Sequence, residues 1–325
     1  MSQITTKHNY SQIKVSVIVP TIGRPTLEET LKSVLSQTYS NIEIIVTDDN
    51  SNGVAYEIVK KFNTNKIKYV KNKKYKKGPS GNKNNGLDYM TGDYFTFIDD
   101  DDLLVPESIK TFVDIASLGY DVVIANCLNS LTGTFTGISP GKDIEFTYED
   151  FLRGFLDGEY IIFSKSSLVG NERFYDDCWG GEHLLWWKIL KKMKKGYYID
   201  KPLRIYNVQT PDRVTFQMEK YPERQMLSYY YTIIEFGADL LNISPNKQFI
   251  RYLLRGIYFS KLANDTKMLK FFRKSIDKVP NISLKILSLI YYFIVKYSSK
   301  TNLIKFNSFL YKILIPKIKA WFKQI

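Results

Sequence analysis

Four consecutive aspartates, Asp99, Asp100, Asp101 and Asp102, follow directly on the apolar segment 94–98. Carboxylates this close repel one another, so a fold that keeps them at the end of a buried strand needs a cation to neutralise them. Hard oxygen ligands select Mg²⁺ or Mn²⁺, and Mg²⁺ typically takes one or two carboxylates together with substrate phosphates. The alternative for an isolated run of aspartates is a solvated acidic turn that caps the following helix.

The front of the chain alternates apolar segments with amphipathic ones. Strand patterns lie at 15–20, 42–47, 67–70, 94–98 and 121–124, and helical patterns separate them. This alternation predicts an α/β domain with a Rossmann-like, mostly parallel sheet flanked by helices. Ligands of such sheets bind at the carboxyl ends of the strands, which is where Asp48, Asp49 and the run of four aspartates fall.

The second half of the chain is organised differently. Residues 127–180 are less regular, and loops, short strands and a helix near 148–157 are expected there. A helix at 183–194 and two short strands at 197–199 and 203–208 complete the first domain, which we place at 1–219. From about residue 220 only helices are predicted, at 222–242, 246–263, 266–276, 283–297 and 302–323. The region 220–325 is therefore expected to be an α-helical appendage.

The net charge of +13 is concentrated at the back of the chain. From residue 247 to the end there are 17 lysines and arginines against two acids, whereas the remaining residues carry 29 basic and 31 acidic side chains. This asymmetry indicates a polyanionic partner, either a membrane surface or nucleic acid. Cys127 and Cys178 lack metal-ligand spacing and suggest a reducing compartment. Residues 1–14 lack the apolar core of a signal peptide.

Five segments of the front half together resemble a known family. They are 17–21 (Val-Ile-Val-Pro-Thr), 31–37 (Leu-Lys-Ser-Val-Leu-Ser-Gln), 45–51 (Ile-Val-Thr-Asp-Asp-Asn-Ser), 78–86 (Gly-Pro-Ser-Gly-Asn-Lys-Asn-Asn-Gly) and 92–102 (Gly-Asp-Tyr-Phe-Thr-Phe-Ile-Asp-Asp-Asp-Asp). In order, spacing and strand context they resemble the family 2 glycosyltransferases, inverting nucleotide-sugar enzymes with a GT-A fold. The resemblance covers about residues 14–210. Each segment alone is a weak signal, but five in register are specific.

The resemblance implies a donor site for a nucleotide diphosphate sugar. Asp101 matches the last aspartate of the family's metal-binding Asp-x-Asp motif, so we expect it to ligate Mn²⁺ or Mg²⁺, which stabilises the leaving diphosphate. Asp99 matches the first aspartate and is expected to face either the ribose or the water shell of the metal. Asp49 matches the position that accepts a hydrogen bond from the nucleotide base, often uracil. Thr21 is expected to line the nucleotide pocket. Lys83 stands where the family usually has arginine; it is assigned to a contact with phosphate or base, although it lacks the planar fork of arginine.

Four further residues are assigned around the donor with less defined duties. Asp100 adjoins the metal ligands, and Asp102 is placed either to orient the loop or to touch the donor sugar. Asp48 serves either the nucleotide or only the turn. Arg213 is expected to hold the diphosphate, with a surface loop as the alternative. Gln209 replaces a histidine that often contacts the metal in the family, so a further protein ligand is not expected.

The acceptor side centres on residues 179–183 (Trp-Gly-Gly-Glu-His). In the family an aspartate after the glutamate is usually the catalytic base, and His183 stands at that position here. Inverting transfer needs a base that takes the proton of the acceptor hydroxyl. Glu182 is the first candidate and His183 the second; both are alternatively ordinary residues of a first helical turn. Trp179 and Gly181 are assigned to acceptor binding, with ordinary packing as the alternative for Trp179.

The basic C-terminal helices predict contact with an anionic membrane surface. The apolar stretch 286–295 is too short to span a bilayer and indicates a buried or an interfacial helix. In the last segment, 303–325, apolar residues share one helical face, lysines supply charge, and Trp321 and Phe322 offer an interfacial anchor. A helical subdomain with a solvated basic face is the alternative. Nucleic acid is not expected as a partner, since no helix-turn-helix, RNP-like or zinc pattern is present.

Together these observations predict a glycosyltransferase that moves a sugar from a nucleotide diphosphate sugar, expected to be UDP-linked, to a saccharide or lipid-linked saccharide acceptor. We expect it in the cytoplasm, peripheral on the inner face of the cell membrane. One alternative is a metal-dependent nucleotidyltransferase, although residues 21–24 make a poor phosphate loop. The other is a catalytically inactive nucleotide- or saccharide-binding protein, suggested by the departures from the family at Lys83, His183 and Gln209.

Overall fold

A computed structural model describes residues 13–209, 219–243 and 247–309. The chain divides into two compact units, Met1–Val214 and Thr215–Ile325. The first unit is built around one mixed sheet with helices packed on it, and the second unit is helical in its described residues.

Four parallel strands form one half of the sheet of the first unit. They are β1 (Val15–Thr21), β2 (Ile42–Asp48), β3 (Ile67–Lys71) and β4 (Tyr94–Phe97), in the spatial order β3-β2-β1-β4. All seven residues of β1 are buried, as expected of a central parallel strand that is covered on both faces. The order reverses between β1 and β4, so the carboxyl ends of these two strands flank a crevice where ligands of open α/β sheets bind.

The other half of the sheet is mixed in direction. It contains β5 (Leu103–Leu104), β6 (Val122–Asn129), β7 (Ile144–Phe146), β8 (Tyr160–Lys165) and β9 (Gly196–Tyr206). The order continues from β4 as β8-β6-β9-β5, with β7 paired to β9. Strand β8 lies antiparallel between β4 and β6. Short strands were expected within 127–180, but the sequence pattern did not predict this position or direction.

Strand β9 is continuous where two short strands were predicted. Its register against β6 shifts so that Ala125 faces Ile199 and Asn126 faces Pro202. The two intervening residues bulge out of the ladder, and Pro202 has no amide hydrogen to donate. The polar pair Asp200 and Lys201 before a proline therefore looks like a turn in the sequence, although the strand runs through it.

Helices of the first unit connect the strands. They are α1 (Leu27–Leu35), α2 (Val54–Lys60), α3 (Pro79–Leu87), α4 (Ser108–Ala116), α5 (Tyr148–Leu152) and α6 (Glu182–Lys192). Helix α3 lies so close to the sheet that a Cβ atom on Gly86 would come within 2.3 Å of the Ile18 side chain. This contact explains the glycine at 86, and it fixes α3, with the residues at its amino end, against β1.

The second unit is described as five helices. They are α7 (Pro222–Ile243), α8 (Lys247–Leu262), α9 (Thr266–Ser275), α10 (Ile282–Tyr297) and α11 (Lys300–Phe309). Its core contains Phe249, Leu253, Ile257 and Phe272, all fully buried. No helix among the described residues is long and apolar enough to cross a membrane. Trp321 and Phe322, the predicted interfacial anchor, lie outside the described residues.

Candidate active site

The candidate site lies at the carboxyl edge of the parallel strands. Thr21 is the last residue of β1, Asp49 directly follows β2, and Asp99 stands two residues after β4. Parallel pairing of β1 with both β2 and β4 brings these strand ends together. The backbone amide of Asp49 donates to the Thr21 carbonyl at 3.1 Å, which fixes the first two positions relative to each other.

Asp100 is a buried anchor of the loop after β1. Its carboxylate accepts hydrogen bonds from the Thr21 hydroxyl and from the Arg24 guanidinium, both at 2.5 Å, and its side chain is 1% exposed. Burial raises the pKa of Asp100, and the Arg24 charge acts in the opposite direction. Asp100 was assigned to the donor from the sequence, but its carboxylate is directed toward Thr21 and Arg24.

Asp102 is a second buried anchor, on the far side of the aspartate run. Its Oδ1 accepts from the amide of Asn207 at 2.8 Å, and its Oδ2 lies 3.5 Å from the Arg204 Nε. Burial raises the pKa of Asp102 to about 7, against the lowering effect of the Arg204 charge. Arg204 in turn pairs with Glu159 through its other end, at 2.5 Å. These contacts tie the aspartate loop to β9 and to the residues before β8.

The other two aspartates of the run are accessible. Asp99 is 41% exposed and forms an ion pair with Lys83, whose Nζ lies 3.3 Å from its Oδ1, and Asp101 is half-buried. Burial alone would raise the pKa of Asp99, but the charges of Lys83 and Arg204 outweigh it and hold that pKa below its ordinary value. Burial likewise acts to lower the pKa of Lys83, whereas the charges of Asp99, Glu182 and Glu159 raise it above its ordinary value. Lys83 therefore remains a cation beside Asp99.

The described residues contain no group of three or more histidine, cysteine, aspartate or glutamate side chains placed to hold a metal ion. Proteins usually bind Mg²⁺ through one or two carboxylates, and phosphate oxygens and water complete the coordination. Asp99 and Asp101 suit such a site in chemistry, because both are carboxylates left accessible at the strand end. A metal held there would bind together with a diphosphate rather than in a preformed protein cage.

Asp48 and Asp49 differ in their surroundings. Asp48 is buried, and its carboxylate accepts from the amide of Asn50 at 2.7 Å and from the Tyr69 hydroxyl at 2.6 Å. Asp49 accepts from the Asn72 side chain and from the amide of Gly78, each at 2.7 Å. Burial raises the pKa of Asp49. Asp48 therefore stabilises the turn, whereas Asp49 lies where the loop before α3 meets the strand end.

The segment assigned to the acceptor packs against this same loop. A Cβ atom on Gly78 would lie 3.4 Å from the indole nitrogen of Trp179, which is half-buried. Asp176 accepts from the amide of Lys76 at 3.0 Å. Asn84 of α3 exchanges two hydrogen bonds of 2.8 Å with the backbone of Phe174. Residues 174–179, assigned to the acceptor, thus contact helix α3 and the loop before it, which are assigned to the donor.

The candidate bases, Glu182 and His183, are the first two residues of helix α6. Gly181 is buried and precedes the helix as its N-cap, and Glu182 is the first helical residue. The negative charge of Glu182 is one of those that raise the pKa of Lys83, so the two groups share one electrostatic environment. The ring of His183 packs edge-on against Trp187 with 5.0 Å between ring centroids. Both candidates are half-buried.

Two arginines of the site were not assigned from the sequence, and one assigned arginine is not among the described residues. Arg24 and Arg204 hold Asp100 and Asp102. The pairing of Arg204 could have been suspected from the sequence, because it is a lone arginine inside an apolar strand pattern. A buried guanidinium requires an acidic partner. Arg213 lies outside the described residues.

A mostly parallel sheet flanked by helices, with carboxylates at the strand ends, is typical of the GT-A class of glycosyltransferases. The chain belongs to glycosyltransferase family 2: the model of that family, described as glycosyl transferase family 2, matches residues 16–173. A relative in Campylobacter jejuni, named GalNAc(5)-diNAcBac-PP-undecaprenol beta-1,3-glucosyltransferase, is 37% identical over 292 residues, which are 85% of this chain and 94% of the relative. The protein is thus a glycosyltransferase.

Two further likenesses bear on the fold and the family. The Escherichia coli protein WfgD, named UDP-Glc:alpha-D-GlcNAc-diphosphoundecaprenol beta-1,3-glucosyltransferase, is 29% identical over 185 residues, covering 54% of this chain and 70% of WfgD. The crystal structure of S. aureus TarS 1-349 in complex with UDP-GlcNAc aligns with a TM-score of 0.58 at 17% identity, covering 87% of this chain and 81% of TarS 1-349. The TarS likeness supports the predicted GT-A fold.

Proposed function

We propose that the protein transfers a glucosyl residue, with inversion, from UDP-glucose to a saccharide carried on a lipid diphosphate. The Campylobacter jejuni and Escherichia coli relatives are both named as β-1,3-glucosyltransferases, and both names carry a diphosphate-linked undecaprenol acceptor. The match to the first of them takes in 85% of this chain, so it extends into the second unit. These names support both the donor and the acceptor class.

The observation that carries the proposal is the division of the four aspartates. Asp100 and Asp102 are buried and held by Arg24 and Arg204, and this arrangement fixes the loop on which the other two stand. A divalent ion bound with the donor diphosphate would neutralise the charge that grows on the leaving group. Asp99 and Asp101 would hold that ion. Lys83 adds a cation beside the same position, because its neighbours keep it protonated.

We assign the base role to Glu182. The acceptor hydroxyl oxygen attacks the anomeric carbon while the bond from that carbon to the diphosphate oxygen breaks, and UDP leaves with the bonding electrons. Glu182 takes the proton of the hydroxyl in the same step. Its carboxylate lies at the start of α6 and acts electrostatically on Lys83, whereas the ring of His183 packs on Trp187. Trp179 provides a flat apolar surface on which the acceptor sugar stacks.

The test is a donor and acceptor screen with Mn²⁺ present. UDP-glucose, UDP-galactose, UDP-N-acetylglucosamine and GDP-mannose are each offered with a short-chain polyprenyl diphosphate saccharide. We expect UDP release and a product heavier by one hexose with UDP-glucose, abolished by a chelator and restored by Mn²⁺. Release of pyrophosphate instead of UDP would indicate nucleotidyl transfer. Tight UDP binding without any product from any donor would indicate a binding protein.

The same proposal places the enzyme at the inner face of a membrane, where a lipid-linked acceptor is presented. The basic C-terminal helices support this location, because their positive charge is attracted to anionic lipid headgroups. Comparing the recovery of the full-length protein with membranes at low and at high salt checks this part. Recovery that does not fall at high salt would argue against an electrostatic contact.

A further inference from the structure

Helix α10 (Ile282–Tyr297) presents an exposed apolar face. Its large side chains with 46–75% exposure are Ile282, Ile286, Leu287, Ile290, Phe293, Ile294 and Tyr297. At about 100° per residue, these positions fall within a sector of roughly 140°. Ser288, Tyr292 and Val295 are buried on the opposite side of the helix. The exposed face is therefore a continuous apolar strip along the whole helix, rather than scattered single residues.

Positive charge borders this strip. Lys285 and Lys296 fall at one edge of the apolar sector by the same helical geometry. The Lys261 Nζ donates to the Lys296 carbonyl at 2.7 Å, which brings a third ammonium group to the carboxyl end of α10. Between 247 and 309 the sequence carries 13 lysines and arginines against two acids.

A strip of this kind needs a partner, since proteins rarely leave a long apolar face in water. A second copy of this chain would bring two basic surfaces together, and like charges oppose that association. An anionic bilayer removes the apolar side chains from water and attracts the bordering lysines at the same time. Helix α10 has 16 residues, fewer than the roughly 20 needed to span a bilayer, so it suits the interfacial plane.

We propose that the α10 strip is the membrane-docking surface of the protein, inserted at the level of the headgroups of anionic phospholipids. The inference rests on the proposed function only in one respect: a lipid-linked acceptor gives the enzyme a reason to dock on a membrane. It specifies α10 as the docking element, independently of the segment after residue 309. Ile290 lies near the middle of the strip and Phe293 one turn further along it; both are expected to insert, while Lys285 and Lys296 remain among the headgroups.

The first test measures partition of the full-length protein onto vesicles. Vesicles of phosphatidylethanolamine with phosphatidylglycerol are compared with vesicles of phosphatidylcholine alone. We expect preference for the anionic vesicles, and at least a tenfold weaker partition for the triple variant Ile286→Gln, Ile290→Gln, Phe293→Gln. The matched control changes three apolar residues elsewhere that are at least as exposed, Leu118→Gln, Leu131→Gln and Ile234→Gln, and should bind as the wild type does. Equal binding by the wild type and the α10 variant would overturn the proposal.

A second test reports insertion directly. Both native cysteines, Cys127 and Cys178, are buried, so a cysteine introduced by Ile290→Cys can be labelled selectively with an environment-sensitive dye. We expect its emission to shift to shorter wavelength on addition of anionic vesicles, and no shift for the same dye attached after Leu118→Cys. Absence of a shift at 290 when the protein is bound to vesicles would overturn insertion by this strip.

Two further readouts separate this proposal from its alternatives. Sedimentation velocity without lipid should give a monomer for both the wild type and the triple α10 variant; a wild-type dimer abolished in the variant would make the strip a self-association surface and overturn the proposal. Glucosyl transfer to the short-chain acceptor in solution should be unchanged in the α10 variant. Vesicle binding without any transfer would overturn the proposed function alone, and transfer without vesicle binding would overturn the docking proposal alone.

Discussion

The carboxylate of Asp49 accepts a hydrogen bond of 2.7 Å from the backbone amide of Gly78, and this bond joins the end of β2 to the start of α3. Gly78 has φ of 137°, a conformation that favours glycine. A Cβ atom there would lie 3.4 Å from the Trp179 indole nitrogen. Asp49 is predicted to bind the nucleotide base, and Trp179 is predicted to bind the acceptor. Their relative position therefore depends on Gly78.

The variant Gly78→Ala should weaken UDP binding about tenfold, because the strained backbone displaces the amide from Asp49 (about 1.4 kcal/mol). Isothermal titration calorimetry with UDP and Mn²⁺ measures this loss. Gly119→Ala is the matched control, since Gly119 also has positive φ but has open space around it and lies in the turn after α4. Both variants should lose similar stability. Equal UDP affinity in the two variants would show that Gly78 does not position the site.

The two kinds of aspartate in the run should respond differently to mutation. We expect Asp101→Asn to lose nearly all metal-dependent turnover with little change in melting temperature, since asparagine keeps the shape of this half-buried side chain. Asp100→Ala should instead lower the free energy of unfolding by about 2 kcal/mol, because the buried Thr21 hydroxyl and the Arg24 guanidinium lose their shared acceptor. Urea denaturation and UDP-release assays on both variants measure the contrast. Normal turnover by Asp101→Asn would refute the metal assignment.

The base assignment predicts unequal effects at two adjacent residues. Glu182→Gln should lower kcat by about 10²–10⁴-fold with little change in the KM for UDP-glucose, because a base acts on the reacting proton and not on donor binding. His183→Asn should change kcat by less than about tenfold, since its ring packs on Trp187. Steady-state kinetics at saturating acceptor separates the two. A larger effect at His183 than at Glu182 would reverse the assignment.

The parallel half of the sheet was predictable from the sequence because each strand is a short apolar run bounded by turn residues. The position and direction of β8 were not, although short strands were expected within 127–180 and Tyr160–Lys165 is largely apolar. A short apolar run does not state its partner or its direction, and β8 pairs with β4 across more than 60 residues of chain. The antiparallel insertion is therefore a property of tertiary packing.

The positions of the candidate site were predictable, but their neighbours were not. The order of the motifs places Asp49, Asp99 and Asp101 at strand ends. The sequence does not reveal that Asp100 pairs with Arg24, 76 residues away, or that Asp102 lies beside Arg204. Which carboxylates are buried depends on these distant cations. The sequence alone therefore could not show which aspartates of the run anchor the loop and which remain accessible.

The opposite edge of the sheet provides a pH-dependent prediction. Glu43 accepts hydrogen bonds from the Ser16 hydroxyl, at 2.5 Å, and from the amide of Thr91, at 2.6 Å, and its Oε2 lies 2.7 Å from the Lys14 ammonium. Burial alone would raise the pKa of Glu43, but these partners outweigh it and lower that pKa from 4.5 to about 2. A carboxyl group with a lowered pKa stabilises the fold above its ordinary pKa and loses that contribution as the pH falls toward the folded value.

The variant Glu43→Gln should therefore be less stable than the wild type by about 1–2 kcal/mol at neutral pH, a modest figure because Lys14 is 39% exposed. The difference should stay constant down to about pH 4.5 and shrink between pH 4.5 and 2, as the wild-type carboxylate becomes protonated. Urea denaturation at a series of pH values measures it. The exposed Glu57→Gln variant serves as the control, with a stability curve parallel to that of the wild type. A Glu43→Gln difference that stays constant down to pH 2 would mean that Glu43 has no lowered pKa in the folded protein.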